Sequence, residues 1–81
     1  MNFAEFQRRL VAHLKDSVRS GELTERGLAR ITGVSQPHMH NVLKGTRTFS
    51  PHMADTILGL LDLDLLDLIE PDELLEWRRR R

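Results

Sequence analysis

Apolar residues recur at helical spacing along most of the chain, and nowhere do they show a convincing period-two alternation with polar ones. Phe3, Phe6, Leu10, Leu14 and Val18 form one such stripe, which predicts a helix from Phe3 to about Arg19 with that face buried. Asn2 is placed to cap it, Glu5 completes a capping-box pattern, and Gly21 supplies a left-handed stop. A short second helix follows the cap residue Thr24, ends at Gly33, and buries Leu28, Ala29 and Ile31. Ser35 caps a third, which tolerates Pro37 in its first turn, directs Met39, Val42 and Leu43 inward, and ends at Gly45. After the polar Thr46-Arg47-Thr48, the pair Ser50-Pro51 signals a fourth helix running to about Leu61. It packs Met53, Ala54, Ile57, Leu58 and Leu61. Asp64 caps a fifth around Leu65 to Ile69, and Pro71 opens a last helical segment with acids first and arginines last.

The expected fold is therefore all-α: one domain over residues 1–81, a compact bundle of about five short helices with a 64–81 extension. At 81 residues there is room for one modest core. No cysteine is present, which excludes disulfides and thiolate metal sites. The leucine-rich stretch from Ile57 to Ile69 is broken by Asp62, Asp64 and Asp67, so it does not span a bilayer. The first ten residues, MNFAEFQRRL, hold no uninterrupted apolar run of the kind a signal peptide needs. The expectation is a soluble cytoplasmic protein with no membrane association.

Charge changes the picture through its distribution. Net charge is zero, which alone argues against a nucleic-acid partner. From Met1 to Met53, however, eight Lys and Arg face four acids; from Ala54 onward, eight acids face four arginines. A chain polarised in this way can turn a positive face to phosphate. On charge alone, two differently charged solvated surfaces explain the pattern equally well.

The stretch from Thr24 to Gly45, TERGLARITGVSQPHMHNVLKG, carries the most information. Two short helices that meet near a right angle need a small residue at the crossing, a tight turn, and a buried residue just after it. Ala29, Gly33 and Val34 occupy those places. The second of the two helices keeps Met39 and Val42 for the core. Its other face carries Gln36, Pro37, His38, His40, Asn41 and Lys44, without a large apolar group and rich in hydrogen-bonding side chains. Major-groove readout requires such a face.

The spacing of Leu28-Ala29, Gly33-Val34, Ser35-Gln36, Met39, Val42, Leu43 and Gly45 resembles the helix-turn-helix of lambda-repressor/Cro-like (XRE-type) transcriptional regulators. The resemblance runs from about Phe6 to Leu63. It implies sequence-specific binding to a double-stranded DNA operator by a small transcriptional regulator, a repressor acting by promoter occlusion. The bases would be contacted by Gln36, Pro37 and His38 at the start of the helix spanning 36–44, and by His40 and Asn41 one turn on. Gln36 and Asn41 are suited to bidentate pairing with adenine. Thr24, Glu25 and Arg26, with Lys44, Thr46 and Arg47, would lie along the sugar-phosphate backbone. Two positions depart from the pattern. Glu25 stands where the family often has glutamine, and phosphate would repel it unless Arg26 or Arg30 neutralised it. Pro37 removes a polar side chain and offers contact to a thymine methyl instead.

Other chemistry fares less well. His38 and His40 are two apart on a helix and point in different directions, and His13 and His52 lie elsewhere, so no metal or other cofactor is expected. Ser35 with His38 is no catalytic pair, since Ser35 is accounted for as a cap and no third group is evident; the chain is not expected to be an enzyme. Leu66, Ile69, Leu74 and Trp77 either complete the core or form a patch for a homodimer, the state favoured because paired half-sites are the rule for such regulators. The run Arg78 to Arg81 is either a contact to DNA or an acidic partner, or a helix end favoured by its dipole. Two further readings stay open. One is an antitoxin-like regulator whose acidic, leucine-rich segment from Asp62 to Trp77 binds a basic toxin; the other is a protein-interaction module that keeps the fold without DNA affinity.

Overall fold

The computed structural model describes residues 2–62, and Arg79 beyond them. The expected fifth helix, the segment opened by Pro71, the candidate dimer residues Leu66, Ile69, Leu74 and Trp77 and, Arg79 apart, the arginine tail lie outside the described residues. Among the described residues four helices follow one another: α1 (Phe3–Arg19), α2 (Glu25–Thr32), α3 (Gln36–Lys44) and α4 (Pro51–Leu60). Among the described residues there is no strand, and no helix is long and apolar enough to cross a membrane.

Each helix starts where a side-chain oxygen meets an otherwise unpaired backbone N–H. Asn2 accepts from the Glu5 N–H and Thr24 from Gly27, both at 2.9 Å; Ser35 accepts from His38 at 3.3 Å and Ser50 from Met53 at 3.1 Å. Proline sits in the first turn of both α3 and α4, where its missing N–H costs no helical bond. Helices α2 and α3 stop at Gly33 and Gly45, whose φ values of 76° and 95° are in the left-handed region that a Cβ disfavours.

All four helices contribute to one core. Leu10 and Leu14 of α1, Leu28 of α2, Met39 of α3, and Ala54 and Ile57 of α4 are inaccessible to solvent. Fully burying side chains of the Leu, Ile or Met type contributes roughly 1.5–3 kcal/mol each relative to leaving them exposed. Met53, Leu58 and Leu61 pack partly buried against this cluster, as do Phe6 and Val18.

Two expected core positions are not there. Phe3 is 42% exposed; it lies in the first turn of α1 and tilts against Phe6 with ring centroids 5.8 Å apart. The buried place one turn further along α1 belongs to Gln7. Ile31 is 46% exposed, and Thr32 is buried in its stead. On α2 the inward arc is set by Leu28, Ala29 and Thr32, which puts Ile31 at its edge. Thr32 keeps its hydroxyl satisfied by donating to the Leu28 carbonyl at 2.8 Å.

Phe49 closes the core from the segment between α3 and α4, at 2% exposure. Gln7 holds it there: Nε2 donates to the Phe49 carbonyl at 2.8 Å, and Oε1 accepts from the Phe49 N–H at 2.9 Å. A buried amide thus pairs with the buried backbone N–H and C=O of Phe49, and all of these groups are satisfied.

Candidate nucleic-acid interface

The candidate surface is built on α3. Met39, Val42 and Leu43 fix one side of the helix in the core, so the opposite side has a set orientation. Gln36, Pro37, His40 and Lys44 are exposed there, spaced so that they form one strip. His38 and Asn41, expected on the same face, are half-buried and flank the strip on its other edge. The strip holds no large apolar side chain, and Lys44 brings a positive charge to the helix end, where the dipole favours it.

The entry to α3 is rigid. Gly33 turns the chain, Val34 is 6% exposed and sits in the core, and the Val34 N–H points to Thr32 Oγ1 at 3.4 Å. Ala29, also in the core, gives the small side chain expected on α2 beside α3.

The exit from α3 is gathered on one atom. The Asn41 carbonyl accepts from the Gly45 N–H at 3.1 Å, the Thr46 N–H at 2.9 Å, the Arg47 N–H at 3.2 Å and the Thr46 hydroxyl at 3.2 Å. Thr46 and Arg47 are thereby held close behind α3 with their side chains exposed.

At the start of α2, Thr24 spends its hydroxyl as the helix cap, while Arg26 is exposed. Glu25 has a partner that sequence reasoning did not foresee. Its Oε1 lies 2.9 Å from His40 Nδ1, across from α2 to α3. Glu25, Gln36, Pro37 and His40 line one shallow depression as a result. Residues assigned by sequence to phosphate and to bases are here joined in a single group.

Arg47 lines a second, larger groove together with Arg8 and Lys15 of α1, over a floor that includes Val11, Ala12 and Val42. Arg8 and Lys15 were missed from the sequence, although their separation of seven places them on one side of α1. None of these three cations forms an ion pair with a described residue, whereas Arg9 pairs with Glu5 and Arg19 with Asp16. Among the described residues no group of three His, Asp or Glu side chains is arranged to hold a metal ion.

Comparison of the chain with protein-family models, with curated proteins and with solved structures returns no match in any of the three.

Proposed function

We propose that this chain binds double-stranded DNA in a sequence-specific way, as a small non-enzymatic transcriptional regulator that represses by occupying an operator. In this reading α2, the turn at Gly33 to Ser35 and α3 act as a helix-turn-helix unit. Helix α3 enters the major groove, Gln36, Pro37, His40 and Asn41 face base edges, and His38 lies beside them. Thr24, Arg26, Lys44, Thr46 and Arg47 follow the phosphates and set the register. The working form is a cytoplasmic homodimer on paired half-sites.

One observation carries the reading. The apolar side of α3 is sealed in the core while the exposed strip offers amide, imidazole and ammonium groups on a helix whose two ends are both tied down. Three cations of Arg8, Lys15 and Arg47 on the adjoining groove add the positive field that phosphate attracts.

Selection of bound duplexes from a random pool, followed by affinity measurements at rising salt, tests this directly. The expected result is a palindromic consensus whose binding weakens as salt increases, because phosphate contacts release counterions. Recovery of unenriched sequence, or retention that does not change with salt, refutes it.

A further inference from the structure

Within the DNA-binding reading, on which this inference rests, we propose that Glu25 fixes the tautomer of His40 and thereby decides which base His40 reads. The Glu25 Oε1 to His40 Nδ1 distance of 2.9 Å is that of a hydrogen bond. An ionised carboxylate accepts and has no hydrogen to give, so the proton of this bond sits on Nδ1. In the neutral ring, Nε2 then carries a lone pair. The His40 side chain is 58% exposed and that of Glu25 32% exposed, so the ring keeps accessible surface on the outer strip of α3 while paired with the carboxylate.

An acceptor in the major groove matches an exocyclic amine, adenine N6 or cytosine N4, and clashes with the O6 and N7 acceptors of guanine. His40 is thus a specificity-determining residue, and Glu25 is a positioning residue that acts through it. Glu25 at the first position of α2 suits this task, since the helix N-terminus favours its charge. Among the described residues the depression contains no titratable group besides Glu25 and His40: Gln36 and Pro37 complete its lining, and no described residue of α1 or α4 reaches it. Lys44, one turn along α3, is the charged neighbour on the same strip.

The pair also bridges α2 and α3, but those helices are already joined through buried Leu28, Ala29, Met39 and Val42, and an exposed pair adds little to that. Its chemical consequence for Nε2 is the larger effect.

Long-range proton–nitrogen spectra of the full chain at pH 8, with no DNA present, read the tautomer; His40 is assigned by the signal lost in His40→Gln. The expected pattern is a protonated Nδ1 and an unprotonated Nε2, with the proton redistributing toward Nε2 in Glu25→Ala. A proton on Nε2 in the unsubstituted chain, or a pattern indifferent to Glu25→Ala, overturns the lock. Duplex selection with the parent chain, Glu25→Ala, His40→Ala and the double variant then reads specificity, with Glu25→Gln as a milder change and thermal melting confirming that each variant folds. Adenine or cytosine preference at one base pair is expected to fall roughly 3- to 10-fold in either single variant and no further in the double. Salt-dependent binding by a chain that shows no amine preference at any His40-sensitive position sinks this inference alone. Absence of salt-dependent binding in the parent removes both the DNA reading and the assignment of His40 to a base.

Discussion

Gln7 grips Phe49 by both its backbone C=O and its backbone N–H, with the donating and accepting bonds 2.8 and 2.9 Å long, across 42 residues of sequence. That pairing anchors the segment between α3 and α4, which includes Arg47, to the N-terminal half of α1. Truncation leaves a buried N–H and a buried C=O without partners. Gln7→Ala is therefore expected to lower stability by about 2–6 kcal/mol, from roughly 1–3 kcal/mol for each of the two orphaned groups. Urea denaturation measures this. Gln7→Glu should not restore it, since a carboxylate has no hydrogen for the Phe49 carbonyl. A Gln7→Ala variant as stable as the parent would show that the clamp contributes nothing.

Two glycines should respond to alanine with opposite signs. Gly45 has φ 95° and open space where a Cβ would be, so Gly45→Ala suffers only backbone strain, about 1–2 kcal/mol. That corresponds to a melting temperature roughly 5–15 °C lower for a domain of this size. Gly59 lies in α4 with ordinary helical φ and equally open surroundings. Gly59→Ala is expected to stabilise by about 0.5–1 kcal/mol. Calorimetric melting of the two variants decides, and a shared sign contradicts the account.

The same pairing of opposites tests the core. Met39 is inaccessible, and Met39→Ala should cost about 2–5 kcal/mol by removing buried methylenes and leaving a cavity. Ile31, for all its hydrophobicity, is 46% exposed; Ile31→Ala should change stability by less than about 1 kcal/mol. Equal losses in denaturant titrations would mean that Ile31 is covered in solution.

On the interface, Gln36→Ala with Asn41→Ala is expected to alter or abolish the consensus recovered by duplex selection while leaving nonspecific, salt-sensitive binding in place. Arg47→Ala should weaken all duplexes alike and reduce the slope of log affinity against log salt by about 1. An unaltered consensus in the double variant removes Gln36 and Asn41 from the readout. Equal salt slopes for the parent and Arg47→Ala remove Arg47 from the phosphate contacts.

How far the sequence could be read depended on how local the determining chemistry was. The bounds of α1, α2 and α3 follow from Asn2, Thr24 and Ser35 at their starts and from Gly33 and Gly45 at two of their ends, all decided within a few residues. Helix α4 was expected to reach Leu61 and stops at Leu60, a difference of one residue. The inward positions Leu10, Leu28, Met39 and Ile57 were legible from periodicity alone. Gln7 and Phe49 were not, because a polar side chain in a helix and an aromatic in a loop become core only when each supplies what the other lacks. Phe3 and Ile31 were misplaced for the converse reason: apolar character does not say where the edge of a buried arc falls. For the interface, the exposed strip of α3 was foreseeable, but the Glu25–His40 pairing depends on how α2 and α3 sit against each other.

One carbonyl oxygen, that of Asn41, offers two lone pairs to four hydrogens. Sharing of this kind leaves no slack in the bend behind α3: Thr46 and Arg47 cannot swing outward without breaking several contacts at once. The distance from Gln36 at the front of the helix to Arg47 behind it works as a fixed gauge. In the proposed complex with DNA, a duplex whose groove is too wide or too narrow for that gauge would be refused before any base is inspected.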